Sequence, residues 1–404
     1  MSGTPLGEAD IPSFAERHDD LLREFDMQAT SARDLYMRSF YRRLGQKLDD
    51  LPAISLGISS MLEHSPNITA GYASNKVLRS IQAVAMPVDS RYPLGREKPK
   101  GWDGTFQHIE EDSETAAVYS INLSRGVQTN IANRGKLLKA VWLLNGEQGE
   151  PAILDVGCSQ NHVLKKLALT GKKGMGYPQA AVMRPKDVDP TDSLVKDDEM
   201  TAKLNLLQQT RLRIKPSVGV DLWQPSDPRV MDWARSCSFY PGSLLVPRVV
   251  QEYDNLTRAC PPEVNFYWSD FGSRFDIERF AYKLPELPEQ FDITLFSTVA
   301  YQQAPDELTA MIENAKQLTK PSGYIVIQDF LSHITDGGEY IFHENWIPYT
   351  YGVWVLDMKK PELGFQKYLS AESGRIKRVI LEPAIGKLAV AQQYGITPYD
   401  QVVD

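Results

Sequence analysis

The chain has 404 residues, 42% of them hydrophobic, with 44 Lys and Arg against 52 Asp and Glu and a formal net charge of −8. That length exceeds one usual domain and supplies a large core, while the acidic balance argues against nucleic acid, whose phosphates need clustered Lys and Arg. Cys158, Cys237 and Cys260 are too few and scattered for a disulfide framework or a thiolate zinc site, no apolar stretch reaches the ~18 residues of a membrane span, and no signal peptide opens the chain, so a cytoplasmic protein is expected.

The first part reads as helical. Ser31 with Asp34 forms a capping-box pattern, and Tyr36, Phe40, Leu44 and Leu48 recur every four residues as one packing stripe. A second helical region runs from about Ser65 to Ala85. Residues 86–104, which hold Trp102, break the pattern with three prolines and three glycines. A third helical stretch, from about Thr115 to Leu144, stops at Asn145-Gly146, and His108 of the same helical region is a further candidate base. Residues 1–148 are therefore expected to form a helical region that serves as a lid, a substrate pocket or a homo-oligomer interface, or covers one face of a sheet.

The character changes at Ala152-Ile153-Leu154-Asp155-Val156-Gly157-Cys158-Ser159-Gln160-Asn161. A continuous apolar run reads as a buried parallel strand, and the glycine after it lets backbone approach a ligand at the strand's carboxyl end. After a helix over Val163–Leu169 the next strand waits until about Ser217, far beyond the ~2–6 residues of a usual connection, so residues 171–216 are an insert with a helix over Glu199–Arg213. A connection from a helix back to a strand lies at the amino ends of the strands, away from the ligand side. Lys165, Lys166, Lys172 and Lys173 read as a solvated helix face.

Further strands follow in order. Val218-Gly219-Val220-Asp221 ends in an acid, Val264–Ser269 is followed by Asp270 and Phe271, and Phe291–Thr298 reads as a fourth strand. Helices are expected at 228–236, 247–259 and 305–320, then a turn and strand at Lys320–Phe330, and strands at Tyr351–Met358 and Arg375–Glu382. A carboxylate suits a ribose diol or an exocyclic amine because both present donors to it. The plainer role of such an Asp is to cap a turn or helix.

Taken in order, these motifs resemble class I S-adenosylmethionine-dependent methyltransferases. The resemblance implies an α/β fold: a Rossmann-like seven-stranded methyltransferase sheet with an N-terminal helical region and a long insert after the first core helix. It makes residues 149–404 the S-adenosylmethionine-binding core. It gives Asp155, Gly157, Cys158 and Ser159 to the turn that carries the cofactor's amino-acid end, Asp221 and Leu222 to the ribose, Asp270 and Phe271 to the adenine, and Ser297 to the end of the fourth strand. The family usually has a further glycine where this chain has Asn161; Asn tolerates the left-handed backbone that the turn requires. A nicotinamide dinucleotide site is the rival, but Ser159 and His162 stand where its fingerprint needs glycines.

Methyl transfer needs an aligned nucleophile and, for a hydroxyl or acidic carbon, a base; it needs no metal. The fourth strand ends in Ser297-Thr298-Val299-Ala300-Tyr301-Gln302, which lacks both the Asn-Pro-Pro-Tyr type of motif and a Pro-Cys pair. Both absences favour a small organic acceptor. His333 and His343, with Asp336, Glu339 and Glu344 nearby, follow the fifth strand and supply the candidate base, and Tyr301 is the third candidate catalytic residue. The expectation is a methyltransferase for a small molecule. A non-catalytic binding module of the same fold, and an RNA or protein methyltransferase, are the alternatives.

Overall fold

Heptad-like apolar stripes build the first part of the chain and continuous apolar runs the second, and the computed structural model separates the two. It describes residues 12–32, 34–65, 68–88, 101–129, 131–173, 179–184, 195–242, 247–288, 290–335, 337–342, 351–371, 376 and 378–397. One unit comprises Met1–Thr129 with Pro225–Asp254, the other Asn130–Gln224 with Asn255–Asp404. The division expected at 148 and 149 thus falls earlier, and residues 225–254 join the helices.

In the helical unit, α1 (Phe14–Ser31) opens with a capping box, Ser13 N–H donating to Glu16 at 2.7 Å and Glu16 N–H to Ser13 Oγ at 3.3 Å. Helix α2 (Leu35–Lys47) is capped by Asp34 itself, whose Oδ1 accepts from Tyr36 and Met37 N–H. The expected pairing of Ser31 with Asp34 does not form, because Ser31 still belongs to α1. The region expected as helical from about Ser65 to Ala85 is the single helix α4 (Ala70–Val88), and α3 (Pro52–His64) precedes it. The N–H groups of Ala53 and Ile54 at the start of α3 are taken by the Glu110 carboxylate of α5 (Gly101–Glu111), at 2.8 and 3.0 Å. Helix α6 (Ser113–Ser124) completes a core built on Phe40, Leu44, Ile58, Ile81, Phe106 and Tyr119. Trp102 is buried in that core, edge-on to Phe40.

The later helices α10 (Pro228–Ser238) and α11 (Pro247–Arg258) match their expected spans closely. The carbonyls of Ser236 and Phe239, just at and past the end of α10, accept from Arg79 and Gln82 of α4. Satisfying exposed end carbonyls with fixed side chains ties the segment to the helices that precede it in sequence.

The sheet unit starts with α7 (Arg134–Leu144), separate from α6, and stops at Asn145-Gly146 as expected, with Gly146 at φ 77°. Its strands are β1 (Ile153–Val156), β2 (Ala181–Arg184), β3 (Val195–Lys196), β4 (Ser217–Asp221), β5 (Val264–Trp268), β6 (Phe291–Ser297), β7 (Thr319–Asp329), β10 (Tyr351–Asp357), β11 (Gln366–Ala371) and β12 (Arg378–Leu381). A separate hairpin pairs β8 (Leu331–Ile334) with β9 (Tyr340–Phe342). Interleaved helices are α8 (His162–Lys173), α9 (Asp198–Gln209), α12 (Ile277–Lys283), α13 (Pro305–Leu318) and α14 (Ala389–Gln393).

The main sheet runs β3-β2-β12-β11-β10-β7-β6-β1-β4-β5. It has ten strands, not the seven expected. The extra strands are β11, which pairs antiparallel between β10 and β12, and β2 and β3 from the insert, which extend the edge beyond β12. From β1 the chain steps outward to β4 and β5, then returns to the other side of β1 as β6 and β7, all five being parallel. This reversal beside β1 is a topological switch point, where the carboxyl ends of neighbouring strands open a crevice. The architecture is α/β and Rossmann-like, with a preceding helical region. One face packs Ile153, Leu295, Val326 and Val353 with α7, and the other packs Leu154, Phe296, Ile327 and Leu356 with α13. No helix among the described residues is long and apolar enough to cross a membrane.

Candidate functional site

The turn after β1 sits at that switch point. Gly157 adopts φ 68°, and an added Cβ there would run into the Val299 side chain, which follows β6. The two loops that flank the crevice therefore touch at a position that admits only glycine. Two more residues of the turn are left-handed, Ser159 at φ 48° and Asn161 at φ 60°. The sequence signalled Asn161 but not Ser159.

What holds this strained turn is the end of β4. Gly157 N–H donates to the Val220 carbonyl at 2.8 Å, and Ser159 N–H to Asp221 Oδ2 at 2.7 Å. Asp221 Oδ1 accepts from Trp223 N–H at 3.1 Å. The acid expected to meet a ribose thus also organises the turn. Burial pushes its carboxyl up to about 6, against the pull of the Ser159, Trp223 and Leu222 N–H groups.

Asn161 turns its side chain under the loop, donating from Nδ2 to the Asn265 carbonyl at 3.1 Å. Gly219 of β4 makes this possible, since a Cβ there would meet the Asn161 amide and the Cys158 sulfur. The Cys158 thiol is likewise packed beneath the turn, and burial raises its pKa, so it is an inert wall. On α8, His162 shares a hydrogen bond with Thr257 at 2.9 Å and Lys165 donates to the Thr257 carbonyl at 2.7 Å.

Asp155 lies on the face of β1 that meets α7. It is buried, and burial pushes its carboxyl up to about 8, with the Asp221 charge adding to the rise and Arg134 opposing it. Arg134, the first residue of α7, donates from Nη1 to Thr298 Oγ1 at 2.5 Å and lies 3.5 Å from Ser297 Oγ. Its guanidinium stands 5.5 Å from the Tyr351 ring centre. Thr298 has φ 59°, a costly conformation for a β-branched residue, and is fixed there by Arg134 and by its own N–H on the Gln328 carbonyl at 2.8 Å. At the end of β7, Asp329 accepts from Phe330 and Tyr301 N–H at 2.8 and 3.1 Å, and burial pushes it up to about 7. Sequence reading missed Arg134, Gln328, Asp329 and Tyr351. Only the strand register brings them together: Ser297 pairs with Gln328, and Asp329 with Gly352.

The remaining expected residues are more dispersed. Leu222 is 53% exposed and Trp268 68% exposed, and Trp268 Nε1 donates to the Leu222 carbonyl at 2.6 Å. Asp270 is exposed and accepts from Gly272 N–H at 2.9 Å, an Asx turn, while Phe271 is a core residue packed on Phe275. His333 is exposed on β8, 6.3 Å between ring centres from Trp354. His343, Asp336 and Glu344 lie outside the described residues. Tyr301 is part-buried against Phe330. Trp102 and His108 belong to the helical unit, where His108 Nε2 meets Thr115 Oγ1 at 3.3 Å.

The site is thus a left-handed turn at the switch point of a doubly wound sheet, pinned by an acid of the next strand, the place where open α/β sheets take their ligands. The chain is similar in fold to S-adenosylmethionine-dependent methyltransferases of known structure, all at low identity. A TehB-like enzyme from Corynebacterium glutamicum is 16% identical, with 50% of this chain and 65% of that chain covered and a TM-score of 0.23. A 1,6-didemethyltoxoflavin-N1-methyltransferase from Burkholderia thailandensis is 14% identical over 66% of this chain and 67% of that chain, TM-score 0.23. A putative O-methyltransferase from Nostoc punctiforme is 10% identical over 79% and 77%, TM-score 0.27. No family model and no curated protein matches the sequence. The strand order and the turn geometry, not these distant likenesses, define the fold.

Proposed function

We propose that the protein is an S-adenosylmethionine-dependent methyltransferase that acts on a small organic molecule. The observation that carries the reading is the turn at Gly157, Ser159 and Asn161, left-handed at all three and fastened to Asp221. The donor and acceptor set fits the cofactor. A carboxylate offers about four acceptor sites, so Asp221 is able to hold the turn and to receive a ribose diol as well. In this reading Asp155 and Arg134 serve the amino-acid end, Asp221 and Leu222 the ribose, and Asp270 with Phe271 the adenine. S-adenosylmethionine supplies a methyl carbon made electrophilic by its sulfonium.

The chain's part is then to align and to deprotonate. Gly157 and Val299 fix the distance between the loops after β1 and β6, which sets where an acceptor meets the methyl. Tyr301 follows β6, and His333 and His343 follow β7; these are the proposed walls and base of the acceptor side. With S-adenosylmethionine bound, the acceptor atom would take the methyl as the methyl–sulfur bond breaks, and the base held by this chain would receive the acceptor's proton.

Calorimetric titration of the purified protein with S-adenosylmethionine, with mass spectrometry of any co-purified nucleoside, tests the reading. One-to-one binding is expected. A folded protein that binds no S-adenosyl compound refutes it, and binding without transfer to any of a panel of small hydroxyl, amine and acidic-carbon acceptors would favour a non-catalytic module.

A further inference from the structure

In the helical unit, α4 carries two buried polar groups that no described residue satisfies. Lys76 is 5% exposed and Ser80 0%. Among the described residues Lys76 Nζ makes no ion pair and no hydrogen bond, and Ser80 Oγ has no partner. The ammonium stands 5.8 Å from the Tyr72 ring centre, a weak contact that takes none of its N–H groups. Residues four apart lie one turn along the same helix face, so ammonium and hydroxyl are neighbours. Buried groups of this kind are nearly always satisfied, because solvation lost on folding has to be replaced.

The surroundings say what is missing. This face of α4 meets α10 and the segment after α6, where Tyr72 and Ala83 pack with Val127, Trp233 and Cys237. Three buried cations act on Cys237 through space: Arg79, Lys76 and Arg125. Arg79 is engaged at Asn75, Ser236 and Phe239, and Arg125 at the Asn122 side chain and the Arg229 carbonyl. Among the described residues of this unit no Asp or Glu is buried. The half-buried Asp227 acts on Arg125, and no acid acts on Lys76. Cys237 cannot be its counter-ion, because burial pushes the thiol up to about 12. One ammonium answers one negative charge, and a carboxylate has an oxygen for each of two donors; a phosphate dianion would bring one charge too many.

We propose that this face of α4 is a binding site for a small organic carboxylate, with Lys76 Nζ donating to one oxygen, Ser80 Oγ to the other, and the ligand's apolar body against Tyr72, Val127 and Trp233. The site lies within the helical unit and does not rest on the S-adenosyl reading. Burial pulls the ligand-free Lys76 ammonium down to about 8. The carboxylate needs the charged form, so affinity should fall about tenfold per pH unit above about pH 8. Around the site Arg79, Arg125 and Arg229 stay charged over that range, Asp227 stays ionised and Cys237 stays a thiol, which leaves the change to Lys76.

The test is calorimetry of the full chain with benzoate, benzamide and inorganic phosphate at pH 7 and pH 9, repeated on Lys76→Met, which keeps the stem and removes the charge. The expected result is binding of benzoate alone among the three probes, weakened about tenfold at pH 9 and about tenfold or more in Lys76→Met. Thermal unfolding gives an independent reading. Removing a buried charge that has no partner should raise the melting temperature of the ligand-free protein, so Lys76→Met should melt above the parent. A variant that melts lower shows that the ammonium is already satisfied in the fold and overturns the proposal. So does a parent protein that binds no benzoate, that binds benzamide or phosphate as tightly, or whose benzoate affinity Lys76→Met leaves unchanged. The probe comparison and the pH dependence need no variant, so they stand even where the substitution unfolds the chain. None of these outcomes touches the methyltransferase reading, which the titration with S-adenosylmethionine decides separately.

Discussion

The carboxyl ends of the central strands and of the edge strand β5 carry the same residue type in opposite settings. Asp155, one residue before the end of β1, and Asp221 and Asp329, which end β4 and β7, lie deep in the sheet, and burial raises all three carboxyls. Asp270, just past β5, is exposed and does no more in this structure than close an Asx turn on Gly272. An Asp after an apolar strand is therefore not one signal but two. Where neighbouring strands enclose it, desolvation makes the acid a tuned group that organises backbone; at an open edge it stays an ordinary turn residue.

The sharpest way to break this contrast is Gly157→Val. A β-branched side chain in the left-handed region that also collides with Val299 should cost roughly 2–5 kcal/mol of stability, or displace the turn, and reduce S-adenosylmethionine binding below detection. Urea unfolding and calorimetry on the same sample separate the two outcomes.

Next in size is Asp221→Ala. It removes the acceptor of Ser159 and Trp223 N–H as well as the proposed ribose contact, so affinity should fall by roughly 2–4 kcal/mol, or ~30- to 1000-fold. Affinity within a few-fold of the parent would mean that β4 does not serve the ligand.

The third effect is on stability against pH. A carboxyl whose folded pKa is raised binds its proton more tightly in the fold than in the unfolded chain, where it titrates near ~3.9. Its contribution is thus present in acid and lost as pH rises towards the folded value. Asp221, Asp329 and Asp155, at about 6, 7 and 8, should make stability decline from mildly acidic pH to about pH 8. Between pH 7 and pH 8 the decline comes chiefly from Asp155, on the order of 1 kcal/mol per pH unit, and Asp155→Asn should flatten it in thermal unfolding scans.

The smallest change is expected at the edge. Asp270→Ala should cost less than ~1 kcal/mol in stability, because the freed Gly272 N–H can turn to water, and only a few-fold in affinity. A loss at Asp270 as large as that at Asp221 would erase the distinction between edge and centre.

Much of the sheet was legible because β1, β4 and β6 are short, mostly apolar runs, which have few other uses than burial. Asn161 was legible too, since its tolerance of positive φ is intrinsic. Arg134 was not: a charged residue at a helix start reads as solvent-facing until Thr298 and Asp155 are found beside it. Asp329 and Tyr351 meet only because β10 pairs antiparallel with β7, a long-range choice that no local pattern records. Strand β11 was missed because Gln366-Lys367 lead into it, and β2 and β3 because two- to four-residue strands have no period to read. Ser31 was misassigned because Asp34 caps α2 alone.

The central claim is that the strand-end turn at Gly157 and Asp221 holds an S-adenosyl compound. A crystal structure of the protein grown with S-adenosylhomocysteine tests it most directly. The account predicts the nucleoside above the Gly157 turn, with both ribose hydroxyls within hydrogen-bond distance of the Asp221 carboxylate. Density for the ligand anywhere else on the chain, with Asp221 contacting only Ser159 and Trp223, would contradict it.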